Sequence, residues 1–418
     1  MFGKGALIIV FAFVVAMSGY QSKLNQAVIA THDNFNTHYL KRLTHEGSLS
    51  AMNVGINDVW ANNTTNANFM ISSAHCSSTV TIAPVGADTV KLTVKSKSSI
   101  FDEAQYKNYG NSFQIEDSVI AIFANEMPLS KYFWYTDDEK GVFWITGDTV
   151  WGPMHTNKTL KTKGSPVFYG KVTAFQGISP SPWHSSSKAK FYGGWEVGVE
   201  VPMPTDMTPL LNAANAGNGG APMNTKAKYD KETTFEFQAD GSVIRTVSGD
   251  PPDTVMVADI APTGVLYSTE DIRVMGVFNG QATIYSDKEI WIDDDLIYAD
   301  DPLSNPNSDD ILGLVAKNFI NVTDNAANNS DVNIQAAMLA LTGSFRAENY
   351  NTRPVGGVLN LTGSVAQYHR GPVGTFYGSG TIASGFSKRY RYDGRFNVTS
   401  PPAFPTVQNS LRLVEWWE

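Results

Sequence analysis

GALIIVFAFVVAMSGYQSKLNQAVIATHDNFNTHYLKRLTHEGSLSAMNVGINDVW, residues 5–60, decides how this 418-residue chain is read. The apolar run from Ala6 to Tyr20, extended through Gly3 and Phe2, spans about 19 residues, the lower edge of what a bilayer-crossing helix needs. Its candidate membrane-facing residues are Ala6, Leu7, Ile8, Ile9, Val10, Phe11, Phe13, Val14, Val15 and Met17. A secretory signal has the same outline, with Lys4 as its charge and Ala16-Met17-Ser18 as a small-x-small cleavage site. The residues beyond Tyr20 favour an anchor over a signal. No proline occurs before Pro84, and Leu24, Val28, Phe35 and Tyr39 recur at helical spacing on one face. Beyond Leu40 the stripe continues less regularly through Leu43, Ala51, Val54 and Val59. Gly47 and Gly55 weaken it by about 1 kcal/mol each relative to alanine. A single helix from Ala6 to Trp60 would be about 80 Å long, and only half of that fits in a membrane. The other half requires a packing partner.

An apolar half running without a break into an amphipathic half, behind a leader ending Lys4-Gly5, resembles the N-terminus of type IV pilins and of PilX-like minor pilins. The resemblance implies processing between Gly5 and Ala6. Major pilins carry a glutamate five residues after the cut. Here that position is Val10, which moves the reading toward a minor or initiating subunit. Patches at 152–157, 298–302, 307–316, 332–337 and 370–374 also look like the C-terminal body of PilX-like proteins, a family of unknown function.

Composition narrows the function classes. A net charge of -9 leaves no electrostatic footprint for nucleic acid. The single cysteine, Cys76, excludes an intramolecular disulfide and a cysteine-built metal site. Low charge with many glycines, prolines and aromatics suits an exported protein rich in strands and tight turns.

The expected fold is α+β, mostly β: a long pilin-like helix, a β-rich module, and a right-handed parallel β-helix. Residues 1–62 hold the leader and helix, and 63–143 the β module. In that module, Ser78–Thr81 pairs with Thr89–Val94 across a turn at 84–88, and 132–135 pairs with 142–145 across Asp137–Gly141. From 144 to 400, short β-branched runs punctuated by Gly, Asn and Asp have the rhythm of a solenoid. Prolines and the low-complexity stretch 212–220 mark an insertion at about 176–258, with a hairpin of its own around Ala239-Asp240-Gly241. Only 335–341 has a helix-like composition, and 401–418 is an extended tail whose 413–417 strand docks on the β body.

No catalytic motif assembles. Asp293, Asp294, Asp295, Asp300, Asp301, Asp309 and Asp310 could supply oxygens to calcium, but no known calcium-loop spacing is present. They read as solvated loops. A carboxylate pair among them would serve glycoside cleavage. His32, His38 and His45 lack the spacing of a zinc helix. Gly378-Ser379-Gly380-Thr381-Ile382-Ala383 matches a dinucleotide fingerprint only formally, since no helical pattern comes after it. Aromatics at 132–135 and 142–145 read as core or cross-strand pairs before they read as a sugar platform.

The expected function is therefore a non-catalytic, cofactor-free minor component of a type IV pilus or pseudopilus, acting in assembly, initiation or surface adhesion. It would be a single-pass inner-membrane protein with a periplasmic or extracellular body. Its partners would be the membrane, other pilins or assembly proteins through the helix, and surface polysaccharide. The alternative is a secreted β-helix protein that binds or cleaves polysaccharide, with Asp294 and Asp300 as its test positions.

Overall fold

The computed structural model describes residues 3–418 except 63, 74–75, 86–88, 99–114, 125–126, 378–380 and 408–411, and it is mostly β behind one N-terminal helix. The side chain of His32, the turn at 86–88 and the glycines of the fingerprint at 378–380 lie outside the described residues. Two compact units divide the chain: Met1–Glu126 with Ser410–Glu418, and Met127–Asn409.

In the first unit, α1 is one helix over Gly3–Asn62. Strands β1 (Ala67–Ser72), β2 (Cys76–Pro84), β3 (Thr89–Ser98) and β4 (Glu116–Ala124) form an antiparallel meander, and the C-terminal strand Arg412–Trp417 adds to its β4 edge. Alternation puts Val80 and Ile82, Val90, Leu92 and Val94, and Val119, Ala121 and Phe123 on one face. The C-terminal half of α1 covers that face.

The helix presents only part of the stripe expected of it: Ala51 and Val59 are buried, but other expected positions are not. The buried positions are Leu40, Thr44, Ser48, Ala51, Met52, Gly55 and Val59, whereas Phe35, Tyr39 and Val54 are exposed. The true stripe escapes a hydrophobicity reading because half of it is small or hydroxylated. Thr44 Oγ1 donates to the Leu40 carbonyl at 2.8 Å and Ser48 Oγ to the Thr44 carbonyl at 3.1 Å, so neither buried hydroxyl lacks a partner. The two glycines that weaken the helix on propensity are the places where helix and sheet approach most closely. A Cβ at Gly55 would stand 2.8 Å from Leu92 Cδ1 and 3.1 Å from Val80 Cγ1, and one at Gly47 would collide with Cys76 Sγ.

The second unit is built of parallel strand stacks. One begins at Lys228–Tyr229 and passes through Val265–Ser268, Gln281–Ser286, Ile311–Ala316 and Val332–Ala340 to Val355–His369. It then continues, still parallel, into Trp134–Asp138, Met154–Thr156, Val172–Ala174 and Trp195–Val197. A single inward row thus runs Leu266, Ile284, Leu314, Met338, Val365, Trp134, Met154, Val172 and Trp195. Two sequence-distant sets of rungs meet between Val365 and Trp134. A second stack, Thr233–Phe237, Ile272–Phe278, Ile290–Tyr298, Ile320–Val322 and Phe345–Ala347, lies beside the first set. Short stacks through Phe143–Ile145 and through Thr149–Val150 lie beside the other.

This arrangement corrects several boundaries. Trp134–Asp138 and Phe143–Ile145 do not form a hairpin. Each pairs in parallel with other rungs, so the first module stops at 126 rather than 143. Rungs continue through Trp195–Val197 and resume at Lys228–Tyr229, which shortens the insertion from 176–258 to a connector at 198–227 containing the helix Thr208–Asn218. The prolines at 180 and 182 occupy a corner between rungs, which tolerates a residue that cannot donate to a ladder. The hairpin at 233–247 forms, with Thr233–Phe237 also serving as a rung. The helix-like 335–341 lies largely in the strand Val332–Ala340, where Ala336, Ala337 and Ala340 fit between stacked neighbours. The tail divides: Thr406–Val407 pairs with Met127–Pro128 in the second unit, and Arg412–Trp417 joins the sheet of the first, not the large β body.

Candidate functional site

Gly5 and Ala6 lie near the start of α1, exposed within regular helix. From Gly3 to Thr31 the helix is long and apolar enough to cross a membrane. All the membrane-facing candidates from Ala6 to Met17 are exposed. Two hydroxyls in this stretch bond locally: Ser18 Oγ donates to the Val14 carbonyl at 2.6 Å and Thr31 Oγ1 to the Ala27 carbonyl at 2.8 Å. Exposed Phe35 and Tyr39 stack one helical turn farther on, with centroids 6.4 Å apart.

The patch at 152–157 has a structural task in the second unit. His155 is fully buried between Tyr132 and Tyr135, its Nδ1 2.7 Å from Thr173 Oγ1 and its Nε2 2.8 Å from Asn157 Oδ1. Asn157 Oδ1 also accepts from the Val201 N–H at 3.0 Å, and Asn157 Nδ2 donates to the Val201 carbonyl at 2.7 Å. Because an amide oxygen cannot donate, Nε2 carries the imidazole proton. Burial pushes the His155 pKa down to about 4 against the opposing pull of its Asn157 bond and of Asp137. This neutral network ties the connector onto the rungs, where Val201, Met207, Leu210 and Ala214 cover the outward row of the long stack.

A cleft of about 940 Å³ opens where the two sets of rungs meet. The strand Ile382–Tyr392 pairs with the first part of Val355–His369, while Trp134–Asp138 pairs with its last part, so two different strands abut one rung. The cleft is lined by Trp134 and Trp144, by Lys388, Tyr390 and Tyr392 from that strand, and by Asp148 and Trp151 from the facing turns. Trp134 and Trp144, 3% and 5% exposed, contact edge to face at 5.8 Å, and Tyr390 stacks on Trp134 at 5.8 Å. Beside them Arg370 lies 4.0 Å over Trp144 and 3.0 Å from the buried Glu139 carboxylate. Lys388 Nζ is 3.7 Å from Asp148, and burial holds its pKa below the ordinary lysine value despite that carboxylate. Arg389 and Arg391 alternate with these residues on the opposite, exposed side of the strand, and form no ion pair or hydrogen bond with described residues. Motif and spacing arguments miss these groups, which belong to no known signature. The signal that could have found them is the interleaved Lys388-Arg389-Tyr390-Arg391-Tyr392, cations alternating with aromatics just beyond the false fingerprint.

The acidic run is dispersed among different tasks. Asp293–Asp295 occupies a bulge where the register between Ile272–Phe278 and Ile290–Tyr298 jumps. Asp293 binds Arg273 at 2.6 Å, Asp295 accepts from Asn333, Asp301 accepts from Gln335, and Asp310 accepts from the backbone of Gly280 and Asp300. Among the described residues, no three His, Cys, Asp or Glu side chains come together as a metal-holding group. His45 Nδ1 lies 3.1 Å from Asp117 and its Nε2 3.7 Å from Glu418, within the first unit, and His38 is exposed nearby.

No family model and no curated protein matches the chain. Among solved structures it is similar to the crystal structure of competence-associated pilin ComZ from Thermus thermophilus, at 13% identity and a TM-score of 0.34, over 84% of this chain and 86% of that one. A likeness this distant carries no argument about role.

Proposed function

We propose that the chain is a single-pass, membrane-anchored, non-catalytic minor component of a type IV pilus or related secretion filament, acting in assembly, initiation or surface adhesion. The observation that carries this reading is the division of α1. One continuous helix has an apolar, unpacked half from Gly3 to Thr31 and a second half whose small residues seat on a sheet. The first half suits a bilayer or the apolar helices of other pilins. The second fixes the anchor to a folded unit. We read Gly5 and Ala6 as the processing site, the body as periplasmic or extracellular, and the parallel stacks as coils of a right-handed β-helix.

The test is the mature N-terminus, determined by mass spectrometry on the membrane fraction, in cells with and without prepilin peptidase. A chain beginning at Ala6 only when the peptidase is present supports the proposal. A chain beginning at Gly19, recovered in the soluble exported fraction, replaces it with the secreted alternative.

A further inference from the structure

We propose that the second unit associates head to tail with a second copy of itself, the lysine-rich open end of one seated on the acidic capped end of the next. This contact is additional to the proposed role of the chain and does not depend on what α1 does. The long stack has two unlike ends. At one, the last coil is uncovered: Ile178–Ser179, Lys190–Phe191 and Trp195–Val197 each pair along one edge, with Leu160–Lys163, Val167–Phe168 and Val172–Ala174. One coil in, Phe168 and Val172 are fully buried, whereas Phe191 and Trp195 at the end of the same inward rows are partly exposed. Trp183 meets Trp195 edge to face at 5.2 Å and is itself 86% exposed. At the other end, the hairpin of Thr233–Phe237 and Ser242–Val247 caps the first rungs, and Asp253–Met256 adds to it along one edge.

Charge identifies what the open end takes. Between Thr149 and Trp195 the sequence holds Lys158, Lys161, Lys163, Lys171, Lys188 and Lys190 and not one aspartate or glutamate, in a chain with 40 acidic residues. Lys171 pairs with Glu196 at 2.6 Å, and the other five ammonium groups have no carboxylate partner among the described residues. They surround the last two coils on different sides. Lys161 and Lys163 point outward from Leu160–Lys163, Lys188 and Lys190 lie at and before Lys190–Phe191, and Lys158 stands in a turn. The cap has the opposite sign: Asp230 to Asp259 holds seven carboxylates against Lys231 and Arg245. Asp250 pairs with Lys231, Asp253 with Arg245 and Glu232 with Arg273, which leaves Glu236 and Asp259 exposed with no cation among the described residues. An apolar centre of Phe191, Trp195 and Trp183 within a ring of unpaired charge has the anatomy of a protein interface, and the complementary charge lies on the far end of the same unit.

Lysines and prolines at a free strand edge guard against edge-to-edge pairing. Pro180, Pro182, Lys188 and Lys190 guard this end against its own kind, since two basic ends repel. An acidic end meets the same lysines favourably. The contact is therefore heterologous, joining unlike ends, and generates rows or rings of copies rather than a closed symmetric pair.

The experiment is sedimentation velocity of the full chain in detergent, over a range of protein concentrations at low and high salt. Species larger than the monomer should grow with concentration, and high salt should weaken their association about ten-fold or more. Lys163→Glu with Lys190→Glu inverts exposed charges at the open end, and Glu236→Lys with Asp259→Lys inverts them at the cap. Each double variant alone should associate about ten-fold or more weakly than the parent, and mixing the two should restore association, because the inverted end of one complements the inverted end of the other. Trp183→Ala should weaken association with the urea midpoint unchanged. If either double variant unfolds early, the Trp183 variant decides alone. Association through α1 would be indifferent to all these substitutions. That indifference overturns the proposal, as does a parent that stays monomeric or a loss that mixing folded variants does not restore. A monomer whose lysine end binds phosphatidylglycerol vesicles also overturns it, and assigns that end to a membrane surface.

Discussion

The seat of α1 on its sheet and the rung stacks of the second unit bury polar side chains by opposite means. Where α1 meets its sheet, Thr44 and Ser48 bond to carbonyls of their own helix one turn back, so each is satisfied before any packing takes place. In the rung stacks, buried polar groups satisfy one another across strands far apart in sequence: Glu139 with Arg370, and His155 with Thr173 and, through Asn157, with Val201. Local satisfaction makes a polar stripe inexpensive and individually replaceable. Long-range satisfaction makes each member hostage to the next, because removing one leaves another buried without its partner.

The sharpest break of this comparison is Arg370→Met. It leaves the Glu139 carboxylate, 1% exposed and already unpartnered at Oε1, with no cation, and should cost about 3–5 kcal/mol in urea unfolding monitored by tryptophan fluorescence. Adding Glu139→Gln should recover most of the loss. If the double variant is no more stable than the single one, lost packing over Trp144 rather than an unpaired charge is the cause.

His155 gives the next largest effect, through pH. Its folded pKa of about 4 lies below the unfolded value of 6.5, so the unfolded chain binds the proton more readily in that window. The stability contributed by neutral His155 is complete above pH 6.5, falls as the pH drops toward 4, and amounts to about 3 kcal/mol in total. Unfolding free energies measured between neutral and mildly acidic pH should show this slope, and His155→Gln should flatten it. An unchanged slope in the variant would place the titration elsewhere.

Legibility in the sequence depends on distance along the chain. The helix can be read because proline-free apolar spacing is a local property, and the rungs can be read because short β-branched runs separated by glycine and asparagine are local too. The seating face of α1 resists reading because its determinants, Gly47, Gly55, Thr44 and Ser48, count against burial on any hydrophobic scale. Their smallness is what admits the sheet. The order of the rungs is illegible for another reason: nothing in Val365 or Trp134 announces that they are neighbours, since a parallel stack specifies its inward row by volume and not by complementary pairs. The cleft is a product of that junction, so it is hidden with it. Even there the alternating cations and aromatics of 388–392 stand in plain view.

Within α1 the comparison narrows to two glycines. Gly55→Leu places a side chain where even a Cβ would be 2.8 Å from Leu92 and 3.1 Å from Val80, and overpacking of this kind should cost about 2 kcal/mol even after any gain in helix propensity. Gly19→Leu meets nothing within 4 Å and lies in the half of the helix that packs on nothing among the described residues. Purified in detergent, that variant should unfold within about 0.5 kcal/mol of the parent, because an exposed substitution away from any packed contact moves stability little. The informative readout for Gly19 is then assembly and not folding. If Gly19→Leu leaves stability intact but reduces co-purification with other filament subunits, the apolar half packs closely against a neighbouring helix at that residue. If both stability and co-purification are unchanged, Gly19 faces lipid, and close helix packing is confined to the half of α1 that carries Gly47 and Gly55.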